Sequence, residues 1–442
     1  LDVPGIGPKK VENIEAGIRV YESRSGRLTL GTVLPAALTT VAELRHATGI
    51  DEIEVAGSIR RWRETIGDID ILALSSKPEP VIEAFTSLSR VSEVLAAGST
   101  KASVRVSDGL QIDLRVVPPE SYGAALNYFT GSQAHNVHLR GLAQSKGLKL
   151  SEYGLFKGER RVAGKTEESI YKKLGMEYVE PELREDRGEV EAALEGALPE
   201  LLELSDIRGD LHAHSDYSDG HATIEEMARA AKATGYKYIS MSDHSHSLGV
   251  AHGLTVERLA EQGEEIDEVN KRLKGFTVLK STEVDILSDG RLDFPDEVLE
   301  QLDIVVASVH SGFQQSREKI TGRMLSAIEN PNVDIIGHPT GRLLGTRPAY
   351  DVDIEAVMEA AAETGTALEI NSHYERLDLN DVNCRRAAEM GVKVAISTDS
   401  HHLDQLWMME LGVRTARRGW LRRENVLNTL TTKGLLKAVG RT

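Results

Sequence analysis

Asp68, Asp70 and Asp113 stand among apolar, strand-type residues, in EIEVAGSIRRWRETIGDIDILALSS (52–76) and SVRVSDGLQIDLRVV (103–117). A carboxylate in such a setting is costly unless something pairs it. Asp68 and Asp70 flank Ile69, so on a strand both side chains leave the same face. The second run turns at Asp108-Gly109 as a hairpin and sets Asp113 in mid-strand. Three converging carboxylates match what two Mg²⁺ ions need for in-line phosphoryl transfer to a nucleotide. Upstream, Gly57-Ser58 offers backbone N–H and hydroxyl donors, and Arg60, Arg61 and Arg63 follow as partners for phosphates. An Asp-x-Asp pair alone arises often by chance. With Gly-Ser before it and a third strand aspartate after it, the combination is specific.

A second set of ligand-type residues fills the later sequence. It comprises His212 and His214 in HAH, Asp219 in SDG, His244 in SDH, Glu283 in STE, His310 in SVH, His338 in GHP, and Asp399 with His401 in TDSH. Residues i and i+2 of a strand face one way, so His212/His214 and Asp399/His401 can each grip one ion. Imidazole with carboxylate suits Zn²⁺, Mn²⁺ or Fe²⁺. These side chains are too many for one tetrahedral site and could hold two or three ions, with one carboxylate bridging. A lone strand-end histidine is ordinarily a satisfied polar residue; a series of them in one alternating frame is not. His221, His246, His252 and His402 fall outside the pattern.

The elements that must position these groups can be read from the same stretch. Apolar runs recur at 207–214, 236–244, 276–286, 303–310, 333–338, 366–370 and 392–401, separated by helix-type segments such as TIEEMARAAKATG. Strand and helix alternating at this spacing imply βαβ units and a parallel sheet. Six of the seven runs carry a candidate ligand near their C-terminal ends, where a closed βα barrel opens its active-site mouth. Seven strands are one unit short of the usual eight. Ahead of this region, the acid-rich segment 177–206 reads as a solvated connector with a helical second half.

The later half resembles the PHP (polymerase and histidinol phosphatase) family over about 207–442, with HAHSDYSDG, SDHS, SVHSG, GHP and TDSH in order. That resemblance implies a distorted seven-stranded barrel whose trinuclear metal centre, of Zn²⁺ and/or Mn²⁺, hydrolyses phosphoesters. The first half resembles the nucleotidyltransferase palm of family X DNA polymerases, and NYFTGSQAHNVHLRGLA (127–143) resembles that family's entry into the thumb. By this resemblance Gly57, Ser58 and Arg61 bind the triphosphate, and Asp68 and Asp70 hold two Mg²⁺ or Mn²⁺ ions. Asp113 joins them on the catalytic ion and helps activate the primer 3′-hydroxyl. Tyr128 and Phe129 lie against the incoming sugar, Gly131 permits close approach, Asn136 reaches the base edge and Arg140 the template strand. Gln111 departs from the basic residue that the eukaryotic beta-type enzymes carry two positions before the third aspartate. VPGIGPKK (3–10) resembles a helix-hairpin-helix, with Gly5, Gly7 and Lys9 against DNA phosphate. Palm and thumb followed by PHP is the arrangement of bacterial and archaeal family X polymerases.

The expected organisation is therefore multidomain. A fingers remnant spans 1–50, an α+β palm 51–119, a thumb 120–180, an acidic linker 181–206 and a (β/α)7 barrel 207–442. The chain has 442 residues, a formal net charge of −17 and one cysteine. One cysteine excludes a disulfide scaffold and fits a reducing cytoplasm. The acidic balance is no veto on DNA, because residues 1–150 are neutral and several later acids are candidate metal ligands. No apolar stretch reaches the roughly 18 residues of a membrane span, Leu1-Asp2-Val3-Pro4 is no signal peptide, a start at Leu suggests a fragment or a trimmed chain, and the resemblance implies that the family's N-terminal domain is missing. The function expected is a monomeric DNA-repair polymerase filling short gaps with dNTPs, joined to a 3′–5′ exonuclease or another 3′-end phosphoesterase. The alternatives are a small-molecule phosphoesterase with a vestigial palm and a non-catalytic DNA-end scaffold. Arg342 and Arg347 are candidates for a substrate phosphate, Trp62 and Trp407 for base stacking, and Cys384 for packing.

Overall fold

The computed structural model describes residues 27–107 and 109–441, in a chain that divides into two units, Leu1–Leu198 and Pro199–Thr442. The first unit is built on a five-stranded sheet of β1 (Ile53–Val55), β2 (Ile69–Leu74), β3 (Val91–Ala97), β4 (Lys101–Val106) and β5 (Gln111–Val117). Their order is β1-β2-β5-β4-β3, and only the β2/β5 pair is parallel. In β5, Ile112, Leu114 and Val116 are buried while Gln111, Asp113 and Arg115 alternate with them on the more open face. Helix α1 (Leu30–Thr48) covers the sheet through Leu30, Val33, Leu34, Ala37, Val41 and Leu44. A one-turn helix, α2 (Gly57–Arg60), follows β1.

Beyond the sheet come α3 (Tyr122–Thr130) and α4 (Gln133–Ser145), then a three-stranded antiparallel sheet of β6 (Lys149–Ser151), β7 (Gly154–Lys157) and β8 (Arg160–Ala163). Helices α5 (Glu167–Leu174) and α6 (Glu189–Glu195) complete the unit. Ser132 caps α4 by accepting from the His135 N–H, and Thr166 caps α5 by accepting from the Ser169 N–H.

The segment read as a solvated acidic linker is not solvated over its first half. Pro181, Glu182, Leu183, Arg184 and Glu189 are buried, because two long-range ion clusters draw the chain in. Glu167 takes both guanidinium nitrogens of Arg60 (3.0 and 2.6 Å) and Arg184 Nη1 (2.5 Å), while Tyr178 donates to it at 3.1 Å. The fully buried Arg184 also donates to the Val179 carbonyl oxygen at 2.9 Å and stacks near Tyr171 and Tyr178. Beside this cluster, His135 bridges Glu189 (2.6 Å) and the Tyr171 hydroxyl (3.0 Å). Although burial alone would raise the Glu167 carboxyl, Arg184 and Arg60 hold it at about 2, below its ordinary 4.5. A depressed carboxyl contributes stability that is complete above the unfolded value, near 4.5, and is lost as pH falls towards 2. Glu167→Gln therefore flattens the acid-unfolding profile of this unit between those limits. Removing one partner of such a cluster costs about 3–5 kcal/mol, so Arg184→Ala lowers the unit's thermal midpoint sharply; calorimetry of both variants checks this.

The second unit is a barrel of seven parallel strands: β9 (Gly209–Ala213), β10 (Tyr238–Met241), β11 (Thr277–Asp285), β12 (Ile304–Ser308), β13 (Ile335–Ile336), β14 (Ala367–Asn371) and β15 (Val394–Ser397). They neighbour one another in sequence order. The first and last strands close on each other through polar bridges. Asp210 accepts from the Thr398 N–H (3.1 Å), the Thr398 hydroxyl and the His212 N–H. The Asn428 side chain joins Gly209 to Ile396 from the other end. Intervening helices pack apolar faces outside; Ile224, Met227, Ala228 and Ala231 of Ile224–Ala233 are buried, after a Thr223/Glu226 capping box. Among the described residues, no helix is long and apolar enough to cross a membrane.

Candidate active sites

In the first unit, the pairing of β2 with β5 sets Asp70 directly opposite Asp113. Asp68 lies exposed just before β2, after the bend at Gly67, rather than on the strand as the alternation implied. It nonetheless reaches the same place, because Asp68 and Asp70 both line a cavity of about 810 Å³. Gly57, Ser58, Arg61, Tyr128, Phe129, Gly131, Asn136 and Arg140, the other residues expected at a nucleotide, line it too. Arg63, expected with Arg61 as a phosphate partner, lines it as well, and Arg27 and Glu185 are further lining residues that sequence reasoning did not assign to it.

Gly57 has φ of +59°, and a Cβ there would stand 2.8 Å from Asp70 Oδ2, so only glycine lets the turn of α2 approach the carboxylates. Asn136 donates to the Tyr128 carbonyl oxygen at 2.7 Å, which ties the start of α4 to the end of α3. Tyr128 and Phe129 meet edge to face at 5.2 Å, and the Arg115 guanidinium lies over the Phe129 ring. Arg60 is not a phosphate arginine: its guanidinium is spent on Glu167 and the Thr130 hydroxyl. Gln111 donates to Asp113 Oδ1 at 3.1 Å, and Lys101, from the neighbouring strand, brings its ammonium to 3.4 Å from Oδ2. The cation missing from position 111 is thus supplied next door. Burial, then Asp68, then Asp113 push the Asp70 carboxyl up to about 6. Crowded carboxylates that repel one another fit bound divalent cations, which would remove that repulsion.

In the barrel, eight of the nine expected ligands fall into three groups with ligand atoms within 4.8 Å of one another. These are His214, Asp219, His244 and His401; His212, His214 and Asp399; and His244, Glu283 and His310. His338, the ninth, places Nε2 2.9 Å from Glu283 Oε1. Glu283 is the hub: His310 Nε2 lies 3.2 Å from the same oxygen, and Oε2 meets His244 Nδ1 at 2.8 Å and His212 Nε2 at 3.4 Å. Asp219 Oδ1 lies 3.3 Å from His401 Nε2. The Asp399/His401 pair does not share a strand face, since β15 ends at Ser397 and Asp399 has φ of +54°. That bend aims the Asp399 carboxylate inwards, 3.1 Å from His214 Nε2.

The donor chemistry fits divalent cations. His212 and His214 point their Nε2 atoms at each other across 3.1 Å, an arrangement in which both lone pairs can serve one ion. Burial, then His401 and His244, drive the His214 imidazole down to about 3, so the ring is neutral and its lone pair is open to a cation. Among the described residues, the buried Nδ1 atoms of His214 and His338 have no hydrogen-bond partner.

Sequence reasoning missed the residues that orient these ligands. Glu369 accepts from His212 Nδ1 at 2.8 Å and from the His338 N–H at 2.6 Å. Asp285 takes His310 Nδ1 at 2.5 Å, and Asn371 donates to Asp399 at 3.0 Å. The available signal was an acid or amide buried in an otherwise apolar strand, in EVDI and ALEIN. Arg342 and Arg347 are committed to loop carbonyls, Arg342 to Arg376 and Leu377, Arg347 to Gly341. Arg376 is the arginine near the ligands, with Nε 3.5 Å from Asp399 Oδ2. Cys384 is buried in the core, as expected. Trp62 has φ of +54° in the turn after α2, and Trp407 is partly exposed. Gly5, Gly7, Lys9 and the rest of the helix-hairpin-helix reading lie outside the described residues, as does Asp108 of the hairpin turn.

Comparison with known proteins joins the two units. The DNA polymerase beta thumb family matches residues 125–185 and the PHP domain family matches residues 210–373. A Bacillus subtilis protein named DNA polymerase/3'-5' exonuclease PolX is 41% identical over 434 residues, covering 97% of this chain and 76% of that protein. A protein of Thermoanaerobacter sp. named as a probable phosphatase is 37% identical over 233 residues, covering 50% of this chain and 89% of its own length. A probable phosphatase of Caldanaerobacter subterraneus is 35% identical over 51% of this chain and 88% of its own length.

Proposed function

The chain belongs to the family X DNA polymerases that carry a PHP domain, and from that membership we propose that its two units act on one DNA substrate. It is a DNA polymerase with 3′–5′ exonuclease activity, and both halves use divalent metal ions. The observation that supports the reading is the gathering of the expected residues: Asp68 and Asp70 in one cavity with Asp113 opposite Asp70 in one unit, and eight of the nine barrel residues in compact groups, with His338 against Glu283, in the other. We assign the polymerase to gap filling in DNA repair, with gapped or primed duplex and dNTPs as substrates, in a cytoplasmic monomer.

In the first unit, Asp68, Asp70 and Asp113 would hold two Mg²⁺ or Mn²⁺ ions; in the barrel, the nine ligands would hold up to three Zn²⁺ and/or Mn²⁺ ions. Bound cations would supply Lewis acidity at the reacting phosphorus and its attacking and leaving oxygens. The protein supplies the rest. Gly57 and Ser58 offer donors to the phosphates, and Arg61 charge. Tyr128 and Phe129 would bound the sugar, Asn136 the base, and Arg140 the template. Gln111 and Lys101 fix the Asp113 carboxylate, while Glu369 and Asp285 orient His212 and His310. Gly5, Gly7 and Lys9 are assigned to DNA phosphate. By domains, we propose fingers to 50, palm to 119, thumb to 180 and the barrel from 207.

A 5′-labelled primer on a gapped template with Mn²⁺ tests this directly. Lengthening with dNTPs and shortening without them are expected, and a chelator abolishes both. The probable phosphatases resemble the barrel half alone. Turnover of a small phosphoester, with no change to the primer in either condition, would select a phosphoesterase with a vestigial palm instead.

A further inference from the structure

We propose that Glu185 is a built-in competitor for the incoming triphosphate: its carboxylate sits on Arg61 and Arg63 inside the nucleotide cavity and must be displaced when a nucleotide binds. The inference rests on the polymerase reading above and deepens it by naming a residue that sets nucleotide affinity. Glu185 belongs to the acidic segment expected to be solvated, yet its side chain is only 11% exposed. Its Oε1 lies 3.0 Å from Arg61 Nε and its Oε2 3.6 Å from Arg63 Nη1. One carboxylate thus spans two of the four arginines that line the cavity with Gly57 and Ser58. A triphosphate seeks the same partners, since guanidinium groups serve carboxylate and phosphate alike.

The fold presents Glu185 deliberately at this point. Its neighbour Arg184 is anchored on Glu167 and on the Val179 carbonyl oxygen. The Glu185 N–H donates to the Leu183 carbonyl at 2.8 Å, and the Ser132 N–H donates to the Arg184 carbonyl at 3.0 Å. On the other side, the Asp186 and Arg187 N–H groups both donate to Glu189. The backbone is therefore held on both sides, and only rotation of the Glu185 side chain can clear the site. Arg61 keeps its place when that happens, because its Nη1 donates to the Thr130 carbonyl oxygen independently. Asp68 and Asp70 share the cavity; a third carboxylate adds like charge beside the phosphates that metal ions at the aspartates do not cancel. Binding a nucleotide thus exchanges two ion pairs within the protein for two with phosphate, and the net affinity is the difference.

The opposite role, a clamp that orients Arg61 for the phosphate, predicts the opposite sign, so one variant decides between them. In the full chain, Glu185→Gln keeps the shape and removes the charge. The dissociation constant for dTTP, measured by calorimetry with Ca²⁺ as a non-catalytic cation, is expected to fall roughly tenfold, as for release of a close charge pair. The KM for dTTP on a gapped duplex falls in parallel, with kcat changing less than KM, and inorganic tripolyphosphate becomes a correspondingly stronger inhibitor. Glu185→Asp, which keeps the charge, remains near the parental values. An unchanged or raised dissociation constant in Glu185→Gln, at a parental melting temperature, overturns the proposal. If the parental chain binds neither dTTP nor tripolyphosphate and Arg61→Ala changes nothing, the nucleotide reading of the cavity fails first and takes this proposal with it.

Discussion

Asp70→Ala stops primer extension, slowing it on the order of 10³-fold or more, while the nuclease rate of the same preparation stays at the parental value. Asp70 faces Asp113 across the parallel β2/β5 pair and shares its cavity with Asp68, so it is the carboxylate best placed to join both neighbours in holding metal. Losing several kcal/mol of charge stabilisation at the reacting phosphate accounts for the size of the effect. The fold survives, because without cations the charged side chain is disfavoured where it stands: burial, then Asp68 and Asp113, raise its carboxyl to about 6 against the weaker pull of Arg115 and Lys101. Asp70→Asn serves as the conservative control and should melt no lower than the parent. Extension that persists in Asp70→Asn would remove Asp70 from the chemistry.

Glu283→Gln does the reverse: 3′-end cleavage falls on the order of 10³-fold or more and extension is kept. Four imidazoles, those of His212, His244, His310 and His338, converge on the two oxygens of Glu283 within 3.4 Å. No other barrel carboxylate among the described residues touches so many ligands, so its charge is the one that more than one ion would share. The amide keeps the volume and the packing of β11, which is buried along most of its length. Bound metal, measured by elemental analysis of the full chain, should fall along with the nuclease rate. Full metal content with full nuclease activity in Glu283→Gln would sink the assignment. The two variants together form a crossed test, since each unit carries its own ligand set and its own core. A variant that lost both activities while remaining folded would contradict two separate sites.

The sequence by itself determined the element grammar and which acids and histidines the fold gathers at the two candidate sites. The reason is that the signals are local. Apolar runs of strand length alternate with helical segments, and the seven runs correspond to seven parallel strands in sequence order. Strand ends in a βα barrel all open on one side, so ligands near those ends had to meet, and eight of the nine do so in compact groups. In the palm it is the parallel pairing of β2 with β5, not the hairpin itself, that brings Asp113 beside Asp70.

Only the tertiary structure decided what pairs with what. Asp399 and His401 converge through a left-handed turn, not through strand alternation. Glu369 finds His212 across 157 positions, and Arg60 finds Glu167 across 107. Charge attraction depends on separation in space and burial, and neither is written in the spacing of one segment. The acidic segment shows this most plainly. Its composition says solvated connector, yet Arg184 and Glu189 are buried because Glu167 and His135 wait for them in the folded unit. That docking carries Glu185 onto Arg61 and Arg63, a juxtaposition that exists only once residues some 120 positions apart are brought into one cavity.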